Sequence, residues 1–333
     1  MQILILGGTR FVGRHLAAAL SSRGHDVTIF HRGTSEPPGL AQTEHVHGDR
    51  DDDLERLGDR CFDAVVDTSA YVPSNVENAI AQLRGRTGRY LLISTVSVYE
   101  EPEDGRVDES SARATLPDGA SVTEMVPETY GALKALCEDR VVATFGERAT
   151  VVRPGLVVGP YDPTDRFTYW PVRFAEGGEI LVPANPQRAT QFIDARDLAD
   201  FCVGLLEKNI SGAYNAISPP GALTFGDVFG ACAGAVRNDA RMVWAEDDFL
   251  VRHEVGPWIE LPLWIPGDEA VWFANVDTTR AVAAGLCRRE LHETVRDTLS
   301  WASAMKRDDL KAGLKQEREA ALLRALHEQN GTS

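Results

Sequence analysis

The sequence predicts an α/β fold, a Rossmann-type doubly wound parallel sheet, and three observations predict it. Short apolar runs alternate with amphipathic stretches through the first half of the chain. A glycine-bearing turn, Gly7-Gly8-Thr9-Arg10-Phe11-Val12-Gly13, follows the first apolar run directly. Strands separated by helices imply parallel pairing through right-handed crossovers.

Each element has its own reason. Gln2–Leu6 is a short apolar run and reads as a buried strand. Residues 10–23 form a helix, with Phe11, Val12, Leu16 and Leu20 on one face, and Gly24 ends it. Residues 27–30 are the second strand and 45–47 a third. Two more, 64–67 and 90–94, flank a helix over 74–83. Residues 100–126 are polar and acidic without periodicity, which reads as a loop. Pro127 suits the first turn of the next helix, which runs to about residue 145. Residues 150–153 are a sixth strand. Beyond Gly159-Pro160 the pattern loosens: 160–186 and 218–273 are rich in Pro, Gly and Trp, while 192–215 again reads as helix plus strand. Residues 308–329 read as a charged helix, expected on the surface. The expected division is a dinucleotide-binding domain over 1–160, to which 189–216 returns. A smaller substrate lobe is built from insertions at 161–188 and 217–305, and a helical tail spans 306–333.

Composition narrows the function. The chain has 333 residues, 43% of them hydrophobic, enough for a sizeable core. Its net charge of −16 argues against a general nucleic-acid partner, which would need clustered cations. Cysteines stand at 61, 137, 202, 232 and 287, far apart and without a Cys-x-x-Cys pair. That excludes a zinc ribbon or a disulfide framework and fits a reducing compartment, so no metal site is expected. There is neither a basic leader nor an apolar run of about 18 residues, so a cytoplasmic protein without a membrane span is expected.

The turn at residues 7–13 opens the first helix. Main-chain amides at a helix N-terminus, with the helix dipole behind them, favour an anion, and glycines let the chain approach a pyrophosphate. A full three-glycine fingerprint would have glycine at position 10, where this chain has Arg10. The end of the second strand sets the dinucleotide. An acid there would hold a ribose 2′-hydroxyl; His31-Arg32-Gly33 offers a guanidinium instead. Arg32, with Arg10 as a second cation, suits a 2′-phosphate, so NADP is expected over NAD.

Tyr130-Gly-Ala-Leu-Lys134 places a phenol and an ammonium four residues apart, on one helical face. A free phenol titrates near ~10, too high for a proton shuttle at neutral pH, and a nearby ammonium stabilises its phenolate. Only five residues are lysines, and Lys134 is the sole one before Lys208. A third group should hydrogen-bond the substrate oxygen. Ser94, Thr95 and Ser97, at the end of the fifth strand, compete for that role.

Together these features resemble the extended or atypical short-chain dehydrogenase/reductase superfamily, in its NAD-dependent epimerase/dehydratase branch. The resemblance covers residues 1–215 most closely. It implies a catalytic set of Thr95, Tyr130 and Lys134, with Glu100 replacing a usual glycine after Tyr99. It implies that Gly7, Thr9, Arg10, Phe11, Val12 and Gly13 bind the cofactor. Asp49, with Arg50 beside it, would lie at the adenine. Ser69 and Ala70 would lie along the ribose and Pro154 beside the nicotinamide. Residues 191–197 match a later family segment. Arg10 in the turn is the variant of atypical members, including chloroplast stem-loop RNA-binding relatives. Val96-Ser97 lacks the acidic pair of the family's 4,6-dehydratases, which argues against that activity. Members often dimerise through helices matching 74–83 and 127–145, so a homodimer is one of the oligomeric states the resemblance leaves open.

On the substrate side, Arg166, Tyr169 and Trp170 combine a cation with aromatics, a set that stacks on and neutralises a planar or phosphorylated ligand. Arg188 is a further candidate for a phosphate. Trp258, Trp264 and Trp272 read as core, with a lid as the alternative. The leading expectation is an NADP-dependent oxidoreductase acting on a small-molecule carbonyl or alcohol. A nucleotide-sugar epimerase with retained NAD is the alternative. A non-catalytic RNA-binding or redox-sensing relative is the third.

Overall fold

The computed structural model describes residues 1–34, 39–40, 43–102, 105–267, 271–306 and 309–331. Along the chain the elements begin β1 (Gln2–Leu6), α1 (Phe11–Ser22), β2 (Asp26–His31), β3 (Glu44–His47), β4 (Phe62–Asp67), α2 (Pro73–Leu83) and β5 (Thr87–Ile93). Then come α3 (Tyr130–Phe145), β6 (Ala149–Pro154), β7 (Leu156–Val158), α4 (Tyr169–Glu176), β8 (Glu179–Pro183), β9 (Phe192–Asp194), α5 (Ala195–Glu207) and β10 (Gly212–Ala216). The remainder is α6 (Phe225–Gly234), β11 (Arg241–Ala245), α7 (Asp247–Arg252), α8 (Thr279–Ala283), α9 (Leu291–Ala304) and α10 (Gln316–Gly331).

The chain divides into two units. The first comprises Met1–Val157, Ala195–Pro219 and Val276–Arg288. Its centre is a seven-stranded parallel sheet in the order β10-β6-β5-β4-β1-β2-β3. The order reverses between β1 and β4, and ligands in such sheets bind beyond the strand carboxyl ends at that reversal. Side chains alternate along a strand, so the two faces of β1 bury different sets. Leu4 and Leu6 join Val65 and Leu92 in a core with Val76 and Ala79 of α2 and Val141 and Phe145 of α3. Ile3 and Ile5, equally buried, face the other way.

Two boundaries differ from expectation. The helix bearing Tyr130 begins at that residue, three later than Pro127, because residues 127–129 close a turn. Thr129 builds it: its hydroxyl donates to the Val126 carbonyl and accepts from the Val126 amide. The terminal helix begins at Gln316, and Asp308, its expected start, lies outside the described residues. Nor does it lie only on the surface. Leu322, Leu323 and Leu326 are buried, and Glu319, also buried, accepts from Arg173 at 2.6 Å and from the Leu181 amide at 3.0 Å.

The second unit comprises Val158–Asp194, Pro220–Asn275 and Arg289–Ser333. In it β8 pairs with β11 in parallel. Trp170, Phe174, Phe225 and Phe229 are fully buried there. Trp264 is core as well, while Trp258 is half-buried.

Candidate active site

The glycine turn is built by close approach. Gly7 and Gly8 have φ of +99° and +95°, a region that side chains disfavour. A Cβ on Gly13 would stand 2.4 Å from the Gly8 Cα, so α1 starts directly against the strand end. Arg10, in the position of the missing glycine, has φ −121°. That is extended backbone open to any residue, so Arg10 leaves the turn intact, and its side chain is exposed. The strained residue is Phe11, with φ +35° at the first helical position.

Thr95 and Tyr130 come together at the end of β5 and the start of α3. A Cβ on Gly131 would stand 1.9 Å from the Ser97 carbonyl oxygen, so α3 reaches the turn after β5 only because residue 131 is glycine. The Thr95 hydroxyl accepts from the Ser97 amide at 3.1 Å and lies beside the Tyr130 phenol, whose ionised form it favours. Burial raises the Tyr130 pKa, and the Thr95 hydroxyl pulls partly against that rise. Lys134, one turn along, is buried, and its Nζ donates to the carbonyls of Ala70 at 2.7 Å and Ile93 at 2.8 Å. Burial lowers its pKa. Two of its three protons are thus fixed by the main chain, and one is left for an approaching ligand.

The structure separates the competing hydroxyls. Ser94 donates to Glu138 at 2.5 Å, inside a buried network. There Glu138 takes two bonds from Arg153, at 2.9 and 2.6 Å, and Arg153 donates to the Tyr99 hydroxyl at 2.7 Å. Tyr99 in turn donates to Asn215. Burial pushes the Tyr99 phenol up to about 12. Arg113, from the long loop expected over 100–126, also reaches Glu138. Arg153, next to Pro154, therefore braces α3 from within.

The other expected cofactor residues fall as follows. Arg32 is exposed just past β2. Asp49 is half-buried, and its carboxylate accepts the Asp51 amide at 3.0 Å. Arg50 is not presented as an open cation: it makes a bidentate pair with Asp67 at 2.7 and 2.8 Å and donates to Ser69 and to the Asn75 carbonyl. Tyr90 completes this knot by donating to Asp67 at 2.6 Å. The Ser69 hydroxyl also donates to the Leu6 carbonyl, tying the ends of β1 and β4.

In the second unit the expectations need correction. Trp170 is fully buried, with its Nε1 donating to the Pro262 carbonyl at 3.1 Å, and Tyr169 lies beneath Gly313. Both are core residues, excluded from ligand contact by packing. Arg188 is spent on Asp247 and on the carbonyls of Ile265 and Gly267. Arg166 remains half-buried, its guanidinium 5.4 Å from the Trp258 ring centroid. Burial lowers its pKa, against the attraction of Asp162.

Sequence reasoning passed over Tyr71. It is 47% exposed, with Lys134 Nζ 5.9 Å from its ring centroid. Its position directly after Ser69-Ala70 was the available signal. It also passed over His31, His45 and His47, which the fold gathers; the His-x-His spacing on a strand marked two of them.

Known proteins resemble this chain. The profile of the NAD dependent epimerase/dehydratase family matches residues 3–216. The chain is 29% identical over 260 residues to the chloroplast stem-loop binding protein of 41 kDa b of Arabidopsis thaliana, covering 70% of this chain and 63% of that protein. It is 32% identical over 214 residues to the 2-alkyl-3-oxoalkanoate reductase of Stenotrophomonas maltophilia, covering 57% and 56% respectively. The matched stretch thus spans less than two thirds of either relative. The Bordetella bronchiseptica enzyme WbmH, solved in complex with NAD+, shares the fold with a TM-score of 0.68 at 21% identity, covering 91% of this chain and 99% of that one. Among the described residues no helix is long and apolar enough to cross a membrane.

Proposed function

The chain belongs to the NAD dependent epimerase/dehydratase family, and from that premise we propose that it is an NADP-dependent oxidoreductase interconverting a small-molecule carbonyl and alcohol. The observation that carries this reading is the Tyr130 phenol set beside the Thr95 hydroxyl at the end of β5, with the Lys134 ammonium buried one helical turn away.

The first unit fits a dinucleotide. The close contact of Gly13 with Gly8 sets the start of α1 directly against the end of β1, the position from which a helix N-terminus meets a pyrophosphate. Amides at the start of α1 would hold the pyrophosphate, Arg32 the 2′-phosphate, Ser69 and Ala70 the ribose edge, and Lys134 the ribose hydroxyls. When bound, the nicotinamide gives or takes a hydride. The residues do the rest. Thr95 holds the substrate oxygen. Tyr130, kept protonated at neutral pH by burial, gives its proton to the developing alkoxide, and the Lys134 ammonium stabilises the phenolate that remains. In the oxidative direction the same proton returns to the Tyr130 oxygen. The reductase relative supports this chemistry.

The test is a pair of titrations with NADPH and NADH followed by nicotinamide fluorescence, then turnover with a panel of carbonyl compounds. NADPH should bind more tightly. Tyr130→Phe should lower turnover by roughly 10²–10⁴-fold while leaving NADPH affinity nearly unchanged. Equal affinity for the two dinucleotides would remove the role of Arg32, and unchanged turnover would remove that of Tyr130. The family's own description, which names epimerases, favours a second reading, an epimerase that retains its cofactor. NAD that stays bound through purification would mark it.

A further inference from the structure

β3 reads Glu44-His45-Val46-His47, and its parallel register with β2 sets His31 opposite His47. Residues two apart on a strand share a face, so His45 points the same way. β3 is the last strand in the sheet order, and the three imidazoles meet on one face of that edge. Each offers a ring nitrogen, and these nitrogens all lie within 4.8 Å of one another. His31 is buried, His45 half-buried and His47 exposed, so the group opens to solvent on one side. The Thr95–Tyr130–Lys134 chemistry has no use for them.

Hydrogen bonds assign the tautomers of two of the rings. The Gly33 amide donates to His31 Nδ1 at 3.1 Å, so the His31 proton sits on Nε2. That proton points to His45 Nδ1 at 2.8 Å. His45 then carries its own proton on Nε2, donated to the Leu40 carbonyl at 3.1 Å, with the Thr43 hydroxyl alongside at 3.0 Å. A carbonyl holding the remote N–H of an imidazole is the arrangement that orients histidine metal ligands.

We infer that His31, His45 and His47 form a site for one divalent transition-metal ion of the zinc class. Three neutral imidazoles suit Zn²⁺, Co²⁺, Ni²⁺ or Cu²⁺ and not the oxygen-seeking Mg²⁺ or Ca²⁺. Three protein ligands leave a fourth position for water or an anion. Metal–nitrogen bonds of about 2.0–2.1 Å in a tetrahedral site set the nitrogens roughly 3.3 Å apart. The His31–His45 pair, now at 2.8 Å, opens slightly, and the widest pair closes by ring rotation. The ion replaces the proton on His31 Nε2. That proton moves to Nδ1, and the exposed Gly33 turns its amide to water.

Protein without a histidine tag, stripped with a chelator, tests this. Zn²⁺ is titrated calorimetrically, and Co²⁺ by its visible absorption. One ion per chain should bind at micromolar or lower dissociation constant, and Co²⁺ should show the intense bands of a low-coordinate nitrogen site. His47→Ala, at an exposed position, should weaken binding at least about tenfold. The His45→Ala/His47→Ala double variant, checked for fold by circular dichroism, should lose the site. His327→Ala, on α10, should change nothing. No stoichiometric binding by the natural chain, or undiminished affinity in the folded double variant, overturns the site.

Discussion

Burial moves Tyr130 and Lys134 towards their neutral forms from opposite sides, raising the phenol's pKa and lowering the ammonium's. A phenol whose pKa is raised keeps its proton throughout the neutral range and loses it only as pH climbs through the raised value. Tyr130 in the cofactor-free protein should therefore ionise above the ordinary phenol value of about 10. The Thr95 hydroxyl works against that rise, so Thr95→Val should move the ionisation higher still. An ultraviolet titration of the natural chain minus Tyr130→Phe reads this directly; a phenolate already present at neutral pH would contradict it. At this scale the sequence disclosed the Tyr130–Lys134 spacing but could not choose among Ser94, Thr95 and Ser97. The choice depends on Glu138, which captures Ser94 from a helix 44 residues away. The same limit applies to Tyr169, whose burial is set by Gly313, far along the chain.

The joint between α3 and the turn after β5 is an element-level device, because one missing Cβ lets two segments touch. Gly131→Ala should lift α3 off the Ser97 carbonyl and part Tyr130 from Thr95. A cost of about 1–3 kcal/mol in denaturant-measured stability is expected from such overpacking, together with loss of most turnover. Stability and turnover equal to the natural chain would refute the joint. Strand positions were legible because apolar runs end where the sheet ends. β1 matches its expected bounds, and the others differ by a few residues at either end. The start of α3 was not legible: Pro127 carries a first-turn signal, but the Thr129 side chain closes a separate turn ahead of the helix. Arg10 belongs here too, since its extended φ makes the position indifferent to glycine's freedom.

For the whole molecule, acid sensitivity centres on Asp67. Burial alone would raise its pKa, but the Arg50 guanidinium, the Tyr90 hydroxyl and the Ser69 amide together bring it below the usual carboxylate value. A depressed folded pKa contributes stability that is complete above the unfolded value of about 3.9 and is lost as pH falls through the folded one. Asp67→Asn should therefore lower stability near neutral pH by roughly 3–5 kcal/mol, leaving Arg50 buried without its counter-charge. It should also flatten the acid limb of the unfolding curve. A neutral-pH stability equal to the natural chain would show the knot to be dispensable. The alternation of strands and helices foretold the first unit, but its last piece, Val276–Arg288, lies outside the expected boundaries because no periodicity marks it. That piece is tied in by hydrogen bonds from the Asp277 amide to the Val107 carbonyl and from Asn215 to the Asp277 carbonyl. A unit assembled from three separated stretches has a consequence for heredity and for engineering alike. No single crossover between two related genes exchanges it whole, so a chimaera joined at one point combines parts of two different frames.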